Sequence, residues 1–382
     1  AAAQAIASVA YGGADPKALK IYSRAQLKAA ETPLFVAIRR AQHNEVKTLL
    51  QKDPAQINKR VGPGGAFPLL VACQEGQARC AAQLLHANAD VNLAAKDGAT
   101  ALYLACVYGY SDCVGILLSQ AALDCNRARS DGITPLFMAC QRGHQQIVKE
   151  LLGKGAAVDQ QNNSQTAPLY IACQMGFTEI VAALLDAGAD PDLATDNGTT
   201  PLYICAQEGH YSLVETLLIA RADPHRASET GMTALYIAAQ EDHTEIAALL
   251  LGAGAAVNQA EKGGAPPMLV ACHQASLATV QLLSAHGSTR EFPLAAPHDT
   301  AEHVAALGRR RDIWEWLVES RHWCSALHHL DVISALRAAN LLRGGADIDA
   351  TSAPGGPTPL SLAQVMHAAG HAPAGSAKRL IL

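Results

Sequence analysis

Thr134-Pro135-Leu136-Phe137-Met138-Ala139-Cys140-Gln141-Arg142-Gly143-His144, followed by Ile147-Val148-Lys149-Glu150-Leu151-Leu152 and Gly155-Ala156, is the stretch that decides the fold. A threonine hydroxyl at a helix N-cap accepts from the first free backbone N–H groups. Proline at the first helical position needs no donor, so Thr134-Pro135-Leu136 opens a helix. A short apolar helix follows and stops at Gly143. A second helix over Ile147–Leu152 packs antiparallel to it, and Gly155-Ala156 breaks the chain. Before each such unit a turn pair, Asp97-Gly98, Asp131-Gly132 or Asn197-Gly198, supplies a hairpin that leads into the next helix.

The pattern recurs along the chain. Copies start at Thr32, Phe67, Thr100, Thr134, Ala167, Thr200, Thr233 and Pro266, with weaker ones at Thr300, Ser325 and Thr358. The steps are 35, 33, 34, 33, 33, 33, 33, 34, 25 and 33 residues, so only the ninth departs seriously from the period. A repeat of this length makes a two- or three-domain reading of 382 residues the wrong prior, because each unit contacts only its neighbours.

Composition excludes several classes. With 29 Lys+Arg against 34 Asp+Glu and 49% hydrophobic residues, the chain is neither a basic phosphate-neutralising nucleic-acid binder nor a disordered polyelectrolyte. Ten cysteines are too few for a secreted disulfide scaffold of this length. No charge-free apolar stretch approaches the roughly 18 residues needed to span a bilayer. The expectation is a soluble chain of the cytoplasm or nucleus, without membrane insertion or nucleic acid.

Thr134-Pro135-Leu136 with Ala139, Gly143-His144 and Leu151-Leu152, and the Gly188-Ala189-Asp190 that closes the following copy, in this order along the repeat, resemble ankyrin repeats. The resemblance covers nearly everything from Thr32 onward. It implies an all-α fold with short β-hairpin loops: a solenoid of about eleven helix-turn-helix repeats whose concave groove and hairpin tips bind partner proteins. One departure is systematic. The family's fourth motif residue is usually His, whereas Tyr103, Phe137, Tyr170, Tyr203 and Tyr236 stand there, with His only at His303 and His328. An aromatic ring packed between repeats is expected in place of the family's Thr–His hydrogen bond.

The organisation reads as an N-terminal flank over 1–31, regular repeats over 32–299 and degenerate repeats over 300–382. Tyr11-Gly12-Gly13-Ala14-Asp15-Pro16 resembles Asp186-Ala187-Gly188-Ala189-Asp190-Pro191, so the flank reads as the remnant of an earlier repeat. Lys378-Arg379-Leu380-Ile381-Leu382 reads as an outer helix cut mid-turn. Residues 287–330 are the least regular and hold Trp314, Trp316 and Trp323, which either fill a junction between repeat blocks or form a docking patch.

Candidate chemistry is sparse. Cys73, Cys106, Cys140, Cys173 and Cys272 share one column, Cys205 sits beside it, and Cys80 and Cys113 share an outer-helix column, as small buried hydrophobes do. Neighbours in a column stand on the order of 10 Å apart, too far for a disulfide. His144, His210 and His243 occupy the Gly-His column. The compact set His322, Cys324, His328, His329 and Asp331 lacks paired zinc-ligand spacing. Gly62-Pro63-Gly64-Gly65 has no phosphate-loop sequel, and Arg309-Arg310-Arg311 reads as a solvated run. No enzyme, cofactor or metal site is expected. Asn92 resembles the hairpin asparagines that asparaginyl hydroxylases modify in ankyrin repeats, or simply satisfies its turn.

The expected function is a non-catalytic, monomeric protein-interaction scaffold. Alternatives are the recognition segment of a larger enzyme or ubiquitin-ligase adaptor, and a structural spacer. Gln141, Arg142, Gln174, Glu208 and Glu241 stand at inner-helix ends with Tyr108 and Met175, the apolar anchor candidates, and Asp97, Asp131 and Asp196 stand in hairpins. Charge grades from Arg39/Arg40 toward Glu208, Glu229 and Glu241, which suits a partner of opposite gradient.

Overall fold

The computed structural model of this chain describes residues 32–274, 276–290, 300–308 and 310–320. The repeat starts at Ser325 and Thr358, the N-terminal flank, Trp323, the His322–Asp331 group and the final basic-apolar segment lie outside the described residues. Two compact units, Ala1–Asp196 and Asn197–Leu382, divide the chain. The expected limits at 31 and 299 each adjoin residues outside the described ones.

In the first unit, five helix pairs follow one another: α1 (Pro33–Arg39) with α2 (His43–Lys52), α3 (Pro68–Gln74) with α4 (Ala78–His86), α5 (Ala101–Tyr108) with α6 (Ser111–Leu118), α7 (Pro135–Gln141) with α8 (Gln145–Gly153), and α9 (Pro168–Met175) with α10 (Thr178–Asp186). The second unit has four: α11 (Pro201–Glu208) with α12 (Tyr211–Ile219), α13 (Ala234–Gln240) with α14 (Thr244–Gly252), α15 (Pro267–Gln274) with α16 (Leu277–Ala285), and α17 (Ala301–Leu307) with α18 (Arg311–Glu319). Within each unit every first helix packs on its own partner and on the first helix of the next pair. The two helices of a pair are called inner and outer below.

Helices of seven to ten residues are too short to hold in water alone, so packing decides them. Seven of eight residues of α5, Ala101–Val107, are buried, which is why the inner helices are apolar all round. Outer helices bury one stripe, Cys113, Val114 and Leu117 in α6 and Ile147, Val148 and Leu151 in α8. Each fully buried Leu or Ile contributes about 1.5–3 kcal/mol relative to exposure.

The caps follow the motif. Thr100, Thr134, Thr200, Thr233 and Thr300 each accept from the backbone N–H three residues on, at 3.1–3.2 Å, and Thr32 does so at 3.4 Å. Phe67 and Ala167 occupy the same position without a side-chain cap. Gly109 ends α5 in the left-handed region, at φ 75°, and a Cβ there would stand 2.5 Å from Cε1 of His144, the ring that opens the next outer helix. Glycine therefore serves two needs, backbone conformation and room for a neighbour's ring.

The hairpins are turns closed by isolated bridges, Val61 with Ala66, Ala94 with Thr100 and Ala227 with Thr233. Their tips are tied by backbone bonds from repeat to repeat. In the first unit, Lys96 N donates to Gly64 O (3.0 Å), Ser130 N to Asp97 O (2.9 Å) and Asn163 N to Asp131 O (3.0 Å). In the second, Glu229 N donates to Asn197 O and Lys262 N to Thr230 O, both at 2.8 Å. Tip backbone groups thus find partners without forming strands.

Candidate functional site

In the first unit the structure places Tyr108 at the end of α5, Gln141 at the end of α7 with Arg142 as its C-cap, and Gln174 and Met175 at the end of α9. Since α5 packs on α7 and α7 on α9, these residues stand side by side in one row, about 10 Å from helix to helix. All five are half-buried. The Tyr108 ring lies 5.9 Å from that of Tyr110, tilted by 32°. Among the described residues, Gln141 Oε1 is buried without a hydrogen-bond partner.

The hairpin aspartates have a different setting. Asp97 Oδ1 accepts from Ala99 N (3.1 Å) and Asp131 Oδ1 from Ile133 N (3.2 Å), which closes each turn. Their other oxygens face one cation, Arg129, at 3.9 Å from Asp97 and 3.3 Å from Asp131. Arg129 also donates to the Tyr103 hydroxyl (3.2 Å) and lies 5.8 Å from the centre of that ring. Burial works against its charge, but the Tyr103 hydroxyl and the two carboxylates outweigh it and keep the guanidinium protonated. Sequence reasoning did not single out Arg129. The signal available was its column, where Ala95, Thr195 and Ser228 are uncharged. Asp196 is exposed at the last tip of this unit, its N–H donating to Ser164 O at 3.4 Å.

In the second unit, Glu208 ends α11 and Glu241 caps α13. Glu241 Oε1 accepts from Gln240 Nε2 (3.2 Å), and among the described residues Glu208 Oε1 is buried without a hydrogen-bond partner.

Of the aromatic residues in the motif column, Tyr103 is 1% exposed and Phe137, Tyr203 and Tyr236 are buried, whereas Tyr170 is half-buried. The nine described cysteines are buried and outside disulfides. Burial pushes the Cys106 and Cys140 thiols far up and Cys272 up to about 12, so they are inert at neutral pH. Cys73 is raised by a thiol hydrogen bond with Cys113 and by burial. Asn92 has its amide committed to the stack: Nδ2 donates to Ala122 O (2.6 Å) and Oδ1 accepts from Asp124 N (2.8 Å). Asn58 Oδ1 and Asn126 Oδ1 likewise accept from Asp90 N and Ala157 N of the following repeats. Trp316 sits 5.4 Å from the Arg290 guanidinium, which also donates to Leu317 O, Ser284 Oγ and Ser320 Oγ, whereas Trp314 is 42% exposed.

Among the described residues no group of three or more His, Cys, Asp or Glu could hold a metal ion, and no helix is long and apolar enough to cross a membrane. No curated protein matches the chain. The family described as Ankyrin repeats (3 copies) matches residues 6–95, 34–129, 69–162, 120–195, 147–228 and 187–261. Repeats of this kind are generally protein–protein interaction modules, typically without catalysis. With helix pairs, caps and tips agreeing with that match over more than half its length, this chain belongs to the ankyrin-repeat family.

Proposed function

We propose that the chain is a non-catalytic scaffold that binds a partner protein through its inner-helix ends and hairpin tips. The observation that carries this reading is the row of Tyr108, Gln141/Arg142 and Gln174/Met175, half-buried at the ends of three consecutive inner helices of an interaction-module family. Large, half-buried side chains backed by packed helices are what hot spots use. The amides add donors and acceptors suited to an extended backbone. Asp97 and Asp131 contribute by holding the tips, because Arg129 already meets their charge. Asp196, Glu208 and Glu241 supply the negative end of the gradient, so the partner's cationic part belongs there. Buried thiols outside disulfides agree with a reducing compartment, cytoplasm or nucleus.

Affinity capture with the chain and its Tyr108→Ala/Arg142→Ala/Met175→Ala variant, folding checked by circular dichroism and melting, tests the reading. The expected outcome is a protein retained by the parent and lost by the folded variant. Equal retention by both would remove this row as the working surface.

A further inference from the structure

Asn197 and Gly198 form the one Asn-Gly step of the sequence, and it falls on a hairpin tip of the second unit. Asn197 is exposed, Gly198 stands in the left-handed region at φ 78°, and Asn197 O accepts the tip-to-tip bond from Glu229 N at 2.8 Å. The side-chain amide is held in a specific way. Its Oδ1 accepts from Thr199 N at 3.3 Å and from the Thr199 hydroxyl at 2.8 Å. The turns at Asp97 and Asp131 share the first of these bonds, from Ala99 N and Ile133 N, but Ala99 and Ile133 have no hydroxyl to make the second. Two donors on one carbonyl oxygen draw electrons from its carbon and stabilise negative charge that builds on that oxygen. Gly198 has no Cβ to crowd the approach of its own nitrogen to that carbon.

We propose that Asn197 is a site of spontaneous modification, converting through a cyclic imide to aspartate or isoaspartate with Thr199 as the activating group. Solvent base takes the proton from Gly198 N. The nitrogen's electron pair then forms a bond to Asn197 Cγ, and the Cγ–Nδ2 bond breaks as ammonia leaves with a proton from water. Water next adds to either carbonyl of the imide ring, and the ring C–N bond that breaks returns its pair to nitrogen with a proton. The sum is water consumed and ammonia released, with no oxidant or cofactor. Opening at Cγ gives aspartate, the residue type that Asp97 and Asp131 already place at this turn position. Opening at the backbone carbonyl gives isoaspartate, which lengthens the tip by a backbone carbon. Either product adds a negative charge to an exposed tip. Asn163 in the first unit is also exposed, but the Ser164 that follows it carries a Cβ, which makes it the internal comparison.

The test is peptide mass spectrometry of the full chain after incubation at mildly alkaline pH, with isoaspartate counted by an isoaspartate-specific methyltransferase. A synthetic peptide of residues 194–200 sets the rate of the unstructured step. Asn197 should convert ahead of Asn163. Thr199→Val, which keeps the shape and removes the hydroxyl, should slow conversion in the folded chain severalfold, the worth of one neutral hydrogen bond. Thr199→Ser, which keeps the hydroxyl, should retain the parental rate, and Thr199→Val in the 194–200 peptide should change little. Circular dichroism and melting confirm the fold of each variant. Asn197 intact in the chain when the peptide has converted, Asn163 converting as fast, or folded Thr199→Val converting at the parental rate would each overturn the proposal.

Discussion

The hairpin tips of the two units share one backbone design and differ in charge. Both are tied by N–H to carbonyl bonds between successive tips, Ser130 to Asp97 in the first unit and Glu229 to Asn197 in the second. The first unit's described residues include thirteen Lys and Arg and fifteen Asp and Glu, and Arg129 neutralises two tip aspartates. The second unit's include six and twelve, with Glu208, Glu229, Glu241, Asp242 and Glu245 near its helix ends and tips. The difference teaches that the stack is specified by backbone and apolar contacts, which leaves the surface charge of each repeat open to serve recognition.

The largest test attacks the shared design. Gly109→Ala in the first unit and Gly209→Ala in the second should each cost about 2–3 kcal/mol, since both backbones are left-handed and a Cβ would press on His144 or His243. Gly115→Ala, inside α6 with nothing within 4 Å, should be neutral or stabilise by up to about 1 kcal/mol. Denaturant melts decide it, and a large difference between Gly109→Ala and Gly209→Ala would break the claim of one design.

The next test attacks the charge difference. Arg129→Met leaves Asp97 and Asp131 facing each other's field and should cost roughly 1–2 kcal/mol, discounted because these side chains are partly exposed. Adding Asp97→Asn should recover part of the loss, a coupling that a double-mutant cycle measures.

A smaller effect comes from His144. Burial holds its imidazole below the ordinary value, against the bond it makes to the Val107 backbone, and Arg142 adds to the lowering. A depressed histidine contributes stability that is present above about pH 6.5, its unfolded value, and is lost as pH falls below it. The parent should therefore melt lower at pH 5.5 than at pH 7.5, and His144→Phe, the residue type of Phe177 in the same column, should lose part of that dependence. Smallest is the response to salt. Raising ionic strength should stabilise the acidic second unit by screening self-repulsion and slightly weaken the Arg129 pairs of the first, by a few tenths of a kcal/mol. Hydrogen exchange in α5 against α11 reads the opposite signs.

Much of the fold was legible because each repeat announces its own start and stop. The nine described inner helices begin within a residue of the starts read from Thr32 to Thr300, and the starts behave as cap chemistry requires: Thr32, Thr100, Thr134, Thr200, Thr233 and Thr300 cap with their hydroxyls, while Phe67 and Ala167, which have none, do not. The candidate row was legible by register. What was not legible is the company those residues keep. Arg129 reaches Tyr103 twenty-six positions away and Asp97 thirty-two away, and Asn92 bonds Ala122 and Asp124 of the next repeat. A period shows which positions are equivalent, but not which side chain is long enough to cross from one equivalent position to another.

By itself the sequence determined the helix boundaries, the apolar inner helices, the caps and the left-handed glycines, because these are local demands of backbone geometry and hydrogen bonding. Only the tertiary structure decided that Asp97 and Asp131 share one arginine and that Asn92 is committed to the stack. Those pairings depend on where the next repeat places its side chains, and stacking sets that distance.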